Sequence, residues 1–156
     1  MSTTNARPVA ALAIAIAAVA WLPRAEAALG EAASSIESDG RALTAARRGV
    51  AAHPRFTVET LQSDSATVRE YVSPAGVVFA VAWDGLAQPD LTPLLGAHAG
   101  EYRAALEGTP RIRGRRSQRV VAEDVVVETW GHMRHLQGRA YLPALLPGGV
   151  TIDDIK

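Results

Sequence analysis

Two strand-like runs joined by a Ser-Pro-Ala-Gly turn constrain this chain more than any other stretch. They span Thr67–Trp83, TVREYVSPAGVVFAVAW. Pro fixes φ and Gly accepts a positive φ, so Pro74-Ala75-Gly76 is typical of a tight turn. The second run is apolar throughout, and alternation predicts one face with Val77, Phe79, Val81 and Trp83 and another with Val78, Ala80 and Ala82. A strand that is apolar on both faces is normally covered on both, so this run is predicted to lie in the middle of a sheet.

Other alternating segments extend this hairpin into a larger sheet. Phe56–Leu61 alternates in polarity, so Phe56–Trp83 is expected to form a three-stranded antiparallel meander. Later strands are predicted at Arg119–Val121 and Asp124–Trp130, or as one strand with a kink at Glu123-Asp124, and a last strand is predicted at Leu136–Leu142. The tail from Pro143 to Lys156 is rich in Pro and Gly and is expected to be an extended wrap with little regular structure.

Two helices are expected beside the sheet. Asp90 is a typical N-cap for a helix that runs to about Leu106. The glycines in this helix, Gly96 and Gly100, predict close packing on the small face of the central strand, against Ala80. A second, looser helix is predicted within Ala28–Val50, where serines precede an acidic turn and Arg47-Arg48-Gly49 forms a stop signal. The predicted fold is α+β, an antiparallel sheet of about five strands with one helix packed on a face and a looser N-terminal helix.

The first 27 residues have the features of a secretory signal peptide. Arg7 supplies the positive charge, Val9–Leu22 is an uncharged apolar stretch, and Ala25-Glu26-Ala27 places small residues before a predicted cut between Ala27 and Ala28. The apolar stretch is shorter than the ~20 residues that a spanning helix needs. We therefore expect export by the general secretory route to the periplasm or beyond, and a mature chain, residues 28–156, that forms one domain without a transmembrane segment. An uncleaved membrane anchor is the alternative.

Charge and cysteine content exclude several classes of protein. The chain has 16 basic and 16 acidic residues and no cysteine. Cleavage of the predicted signal peptide removes only three charged residues, Arg7, Arg24 and Glu26. The mature chain therefore stays close to neutral, which argues against a dedicated nucleic-acid binder. Without cysteine there are no disulfides, and the core alone must stabilise the fold.

Motifs for catalysis are missing from the sequence. There is no Gly-x-Ser-x-Gly elbow, no cysteine nucleophile and no phosphate-binding glycine loop, so no catalytic residue and no cofactor is predicted. His132-x-x-His135 has a spacing found in metal sites, but a third ligand would have to come from a distant residue such as Asp124 or Glu128. The sequence therefore predicts no metal. His98 is predicted to be a packed residue with one hydrogen bond.

One cluster of positive charge stands out. Five arginines fall within nine residues: Arg111, Arg113, Arg115, Arg116 and Arg119. Guanidinium groups bind phosphate in a bidentate way, so this segment could contact an anionic surface such as lipid head groups or lipopolysaccharide. The alternative is a solvated loop that balances acidic residues elsewhere.

Three sequence blocks resemble a known family. The blocks are VREYVSPAGVVFAVAWDG, PDLTPLLG and GHMRHLQGRAYLPALLPGGVTIDDI. They resemble a family of small exported proteobacterial proteins, best represented in Burkholderia-like bacteria and catalogued as a domain of unknown function. The likeness covers the chain from Ala28 to Ile155. It departs from the family at two positions: an aromatic residue is expected at His98, and a better helix former is expected at Gly40. It implies export and a shared fold, and it implies no activity, cofactor or catalytic residue.

Three functional hypotheses follow. The first is a non-catalytic periplasmic or secreted protein that binds another envelope component, either a protein or a lipid. The alternative is a carrier of a small ligand or lipid, with a pocket between sheet and helix lined by residues such as Phe79, Trp83 and Tyr102. The third is a metal-dependent enzyme centred on His132 and His135.

Overall fold

The computed structural model describes residues 29–110, 112 and 114–156. The predicted signal peptide, its cleavage site at Ala27 and Ala28, and Arg111 and Arg113 lie outside these residues. The described strands are β1 (Ala46–Ala52), β2 (Thr57–Gln62), β3 (Ala66–Val72), β4 (Val78–Gly85), β5 (Ser117–Val121), β6 (Val126–His132) and β7 (His135–Tyr141). The described α-helices are α1 (Ile36–Ala42), α2 (Leu91–Leu95) and α3 (Ala99–Gly108). Short 3-10 turns lie at Ala33–Ser35, Gly96–His98, Pro143–Leu145 and Ile152–Asp154.

All seven strands form one antiparallel sheet in the order β1-β2-β3-β4-β7-β6-β5. The α+β class is confirmed, and the sheet has seven strands where about five were predicted. The predicted meander is present as β2-β3-β4, and β4 is the central strand, as its apolar character predicted. After β4 the chain crosses through α2 and α3 to the far edge and returns by a second meander, β5-β6-β7. The two meanders meet where β4 pairs with β7.

A β-bulge at the start of β4 changes which side chains share a face. Tyr71 of β3 pairs with Ala80, but the next residue, Val72, pairs with Val78. Phe79 is therefore the extra residue, and the strict alternation predicted from Val77 to Trp83 is wrong at this point. Phe79 packs with Ala80 and Ala82 on one face, whereas Val78 packs with Val81 and Trp83 on the other.

The helices cover the face that carries Val81 and Trp83. Leu91, Leu94 and Leu95 of α2 belong to the same core cluster as these two residues. Ala80 lies on the opposite face, so the predicted packing of this helix against Ala80 is wrong. Val78, Val81 and Trp83 pack with the helices, and Phe79, Ala80 and Ala82 face the C-terminal segment.

The predicted N-terminal helix is shorter than expected. It ends at Ala42, and Thr44 then takes a positive φ of 51° that turns the chain. The N–H of Ala45 donates to the carbonyl of Gly40 at 2.7 Å and closes this turn. Arg47, with the residues that follow it, belongs to β1, an edge strand that is exposed along its whole length. The stop signal therefore lies inside a strand, whose charged residues suit an unpaired edge.

Asp90 caps the helical segment as predicted, but the helix is not continuous. The N–H of Thr92 donates to Asp90 Oδ1 at 2.8 Å. Gly96, with φ at 48°, ends α2, and a 3-10 turn leads into α3. In the described part of the chain, no helix has the length and apolar character needed to cross a bilayer.

The C-terminal segment forms a third layer on the other side of the sheet. Leu146, Val150 and Ile152 pack on the cluster around Phe79, and Ile155 has no exposed surface. Apart from two 3-10 turns, this segment lacks regular structure. Side chains of the sheet hold it by its backbone: Arg139 Nη1 donates to the carbonyl of Ile152 at 2.7 Å, and the Tyr71 hydroxyl donates to the carbonyl of Lys156 at 2.8 Å.

Candidate anion-binding groove

An open groove of about 520 Å³ lies between the loop before β5 and the ends of β5, β6 and β7. Its lining includes Arg115, Arg116 and Arg119, three of the five arginines that the sequence singled out. Polar and aromatic side chains from the strands complete it: Ser117, Gln118, Thr129, Trp130 and Gln137. The arginine-rich segment is therefore one wall of a concave surface that the sheet supports.

Backbone contacts attach the arginine segment to the sheet. Ser117 pairs with Trp130 in the β5–β6 ladder, and the N–H of Gly131 donates to the carbonyl of Arg116 at 3.2 Å. Gly131 has a φ of 126°, and a Cβ there would lie 2.2 Å from the carbonyl oxygen of His135. Only glycine fits this position, because any side chain would collide with backbone.

The three arginines differ in how their charge is neutralised. Arg119 Nε lies 3.3 Å from Glu128 Oε1, and the other oxygen of Glu128 accepts a hydrogen bond from Arg139 Nε at 2.7 Å. Arg115 and Arg116 are exposed, and within the described residues no carboxylate is in ion-pair distance of either. Two positive charges at the rim are thus available for an anion.

Trp130 forms a rigid side of the groove. Its Nε1 donates to Gln137 Oε1 at 2.7 Å, and the guanidinium of Arg139 lies 5.5 Å from the ring centroid. Such cation–π contacts contribute about 0.5–1 kcal/mol at exposed sites. The ring is half-buried. It is therefore held in one orientation with part of its surface open to a ligand.

The two candidate metal-ligating histidines face each other across the β6–β7 turn. His132 pairs with His135 in the strand register, and their ring centroids are 5.8 Å apart. Both side chains are exposed. Glu128 is bonded to Arg119 and Arg139, and Asp124 lies at the β5–β6 turn next to Glu101, so the structure does not bring either proposed third ligand to this pair.

A different histidine joins two acidic groups. Among the described residues, His98, Glu101 and Asp124 are the one cluster whose three potential ligand atoms lie within 4.8 Å of one another. His98 Nδ1 lies 2.6 Å from Glu101 Oε1, and Glu101 Oε2 accepts the N–H of Asp124 at 3.1 Å. Glu101 is in the first turn of α3, where the helix dipole favours an anion over a cation. Both oxygens of the Glu101 carboxylate are therefore hydrogen-bonded within the protein.

Among the described residues, two buried carboxyl groups have strongly raised pKa values. Asp39 of α1 is 2% exposed and Glu70 of β3 is 1% exposed, and their carboxyl groups are close enough to share a proton. Burial raises the pKa of Glu70 to about 9, with further contributions from the negative charges of Asp39 and Glu59. Burial also raises the pKa of Asp39 to about 7, against the opposing effect of its hydrogen bond to Glu70. At neutral pH this pair holds at least one proton.

The predicted carrier pocket would need residues that the fold separates. Phe79 is fully buried and lies on the face covered by the C-terminal segment, whereas Trp83 and Tyr102 belong to the helix-covered face. Trp83 is 2% exposed and fills the core beneath α2. These three residues do not line one cavity.

Comparison with known proteins establishes the family. A family model described as a protein of unknown function (DUF2844) matches residues 25–155. The chain belongs to DUF2844. The resemblance to a family of unknown function is thus confirmed. No curated protein and no solved structure matched the chain.

In this DUF2844 protein, several candidate functional residues are not those that the sequence pattern indicated. Gln137 joins the groove because it is opposite Trp130 in the β6–β7 register, which requires the strand pairing to be known. Glu70 alternates with Val68 and Val72, and this pattern was a readable signal that its side chain faces the core. No local signal pointed to Asp39 as its partner, because that contact joins a helix to a strand 31 positions away.

Proposed function

We propose that this DUF2844 protein is a non-catalytic, exported protein that binds a phosphate-bearing lipid of the cell envelope in the groove formed by β5, β6, β7 and the preceding loop. The observation that carries the proposal is the pair of exposed, unneutralised guanidinium groups of Arg115 and Arg116 beside the fixed ring of Trp130. Compartment and ligand are both part of the proposal.

The chemistry of the groove favours a lipid head group. Arginine binds phosphate through two parallel N–H donors, which gives both affinity and orientation. Tryptophan has an apolar body and a polar N–H, and it is enriched at membrane–water interfaces for that reason. The amides of Gln118 and Gln137 add neutral donors and acceptors for the polar part of the head group. An envelope protein with an acidic surface is the competing partner.

Vesicle binding tests the proposal. The purified protein is titrated with vesicles of a zwitterionic phospholipid alone, or of that lipid with about one third phosphatidylglycerol. We expect binding to the anionic vesicles only, with Arg116→Glu binding about 30-fold more weakly. This magnitude follows from about 1 kcal/mol for each basic residue near an anionic surface, lost once by removal and once by reversal of the charge.

The matched control is Arg48→Glu, which makes the same change of charge at an exposed arginine on the opposite edge of the sheet. It is expected to bind like the unmodified protein. Equal losses for the two variants would mean that net charge alone drives binding, and no binding to either vesicle would rule out the lipid. If the protein binds neither vesicle but still captures an acidic protein, the result would favour the competing protein partner.

Export is tested separately by the intact mass of the protein isolated from the periplasm. A chain that begins at Ala28 supports the proposed signal peptide. A chain that retains Met1 contradicts it, whatever the outcome with vesicles.

A further inference from the structure

The Asp39–Glu70 pair lies where a short helix meets the sheet. Helix α1 has seven residues, of which Ile36, Asp39 and Gly40 are buried. Isolated helices shorter than about 12–15 residues are marginal in water, so α1 depends on its contacts with the sheet. Ile36 and Asp39 are one turn apart and share the docking face. One of the two side chains that dock α1 is therefore a carboxyl.

Glu70 has no other hydrogen-bonding partner in the described residues. Neither of its side-chain oxygens accepts from an N–H or O–H group of the described residues, and the carboxyl of Asp39 is the group within reach of it. Two ionised carboxylates cannot bond each other, because neither has a proton to donate. The docked position of α1 thus requires a proton between the two side chains.

The surroundings oppose ionisation of both groups. From β2, Glu59 lies directly opposite Glu70 in the strand register, and its own carboxylate is bound by Arg47 of β1 at 2.7 Å. From β4, the residue that pairs with Glu70 is the apolar Val81. On α1, Glu37 and Arg41 are exposed and lie away from the buried face. In the described structure, the charged groups near the pair are thus the carboxylate of Glu59 and the guanidinium of Arg47, which are already paired with each other.

We propose that α1 is a proton-controlled cover over the β2–β3 part of the sheet, which stays docked while Asp39 and Glu70 share a proton and opens when the pair loses it. The space between α1 and the strands beneath it is an open pocket of about 500 Å³, lined by residues such as Ile36, Gly40 and Leu61. Opening would join this pocket to the apolar surface under α1. The proposal is independent of the groove at the other end of the sheet.

The sign of the pH dependence follows from the raised pKa of each carboxyl. The docked state binds protons that the open state, with ordinary carboxyl pKa values, has already released. Docking is therefore most favourable at acidic pH and is lost as the pH rises through about 7 and about 9. Where the docked and open states differ by one bound proton, the equilibrium constant for opening rises about tenfold for each pH unit.

Hydrogen–deuterium exchange of the purified protein between pH 5 and pH 9 tests the proposal. Protection factors, corrected for the pH dependence of intrinsic exchange, are compared for the amides of α1 and α3. We expect protection of α1 to fall about tenfold per pH unit between pH 7 and pH 9, while α3 stays protected. Glu70→Gln is expected to remove the dependence, because the amide donates to Asp39 at every pH in this range.

Two further variants keep the test decisive. Glu37→Gln, an exposed acid on the same helix, is expected to keep the behaviour of the unmodified protein. If Glu70→Gln fails to fold, as judged by circular dichroism, Asp39→Asn forms the same carboxamide–carboxylate pair from the other side. Protection of α1 that does not vary with pH would overturn the proposal, and so would equal loss in α1 and α3, which would indicate global unfolding.

Discussion

At the scale of single residues, two positions show how closely the side chains of this sheet constrain each other. Gly138 of β7 is opposite Trp83 of β4, and the indole lies across the space that a side chain at position 138 would occupy.

Glu70 could have been assigned to the core from its alternation with Val68 and Val72, but its charge argued for solvent. Only the contact with Asp39 makes that burial tolerable, because buried carboxyls need a partner.

A substitution at Gly138 tests the packing of Trp83. A Cβ there would lie 2.3 Å from Trp83 Cζ2 and 2.8 Å from the carbonyl oxygen of Glu128. Overpacking of this kind costs about 1–3 kcal/mol, so we expect Gly138→Ala to lower the free energy of unfolding by that amount in a urea titration. Gly100→Ala is the control, since nothing lies within 4 Å of the added carbon and alanine is the better helix former. An unchanged midpoint for Gly138→Ala would mean that Trp83 moves freely.

At the scale of elements, local patterns predicted most of the strands because polarity alternates along them. The failures have physical causes. The serine-to-glycine stretch that predicted one long helix contains a strand, since Thr44 turns the chain and β1 gains ladder hydrogen bonds from β2. The bulge moved Phe79 to the face of Ala80, and a one-residue shift of register carries no signal in polarity alone. The helix α2 packs on the other face, where Val81 and Trp83 supply the core volume. The groove depends on the pairing of β5, β6 and β7, so its arginines were predictable and its other residues were not.

The cap of α2 provides a test at this scale. Asp90→Ala removes the acceptor for the N–H of Thr92, and N-cap removal typically costs about 0.5–2 kcal/mol. We expect a lower melting temperature for Asp90→Ala in differential scanning calorimetry. Asp90→Ser keeps a capping oxygen and is expected to remain close to the unmodified protein. Equal melting temperatures for the alanine variant and the unmodified protein would show that tertiary packing alone positions α2.

At the scale of the whole molecule, the sheet is the middle layer between the helices and the C-terminal segment. The tail therefore replaces a second set of helices as the cover of the face with Phe79, Tyr71 and Tyr141. Export and the predicted cut before Ala28 concern residues that the structure does not describe, and they remain predictions from the sequence alone.

Ile155 tests the contribution of the tail. Its side chain is fully buried, and truncation of a buried isoleucine typically costs about 2–5 kcal/mol. We expect Ile155→Ala to lower the free energy of unfolding by about that amount. Leu145→Ala, a change in the exposed part of the same segment, is expected to stay within about 0.5 kcal/mol. Similar small effects for both variants would mean that the tail is not part of the cooperative fold.

The pairing of β4 with β7 also has a kinetic consequence. Each meander is built from hairpins between neighbours in the chain, whereas this central ladder joins Gly85 to Leu136 and Ala80 to Tyr141. Closing so long a loop is entropically costly before its contacts form, and such non-local pairing slows folding. The ladder at the centre of the sheet is therefore expected to be the last part to form, after two meanders that assemble independently.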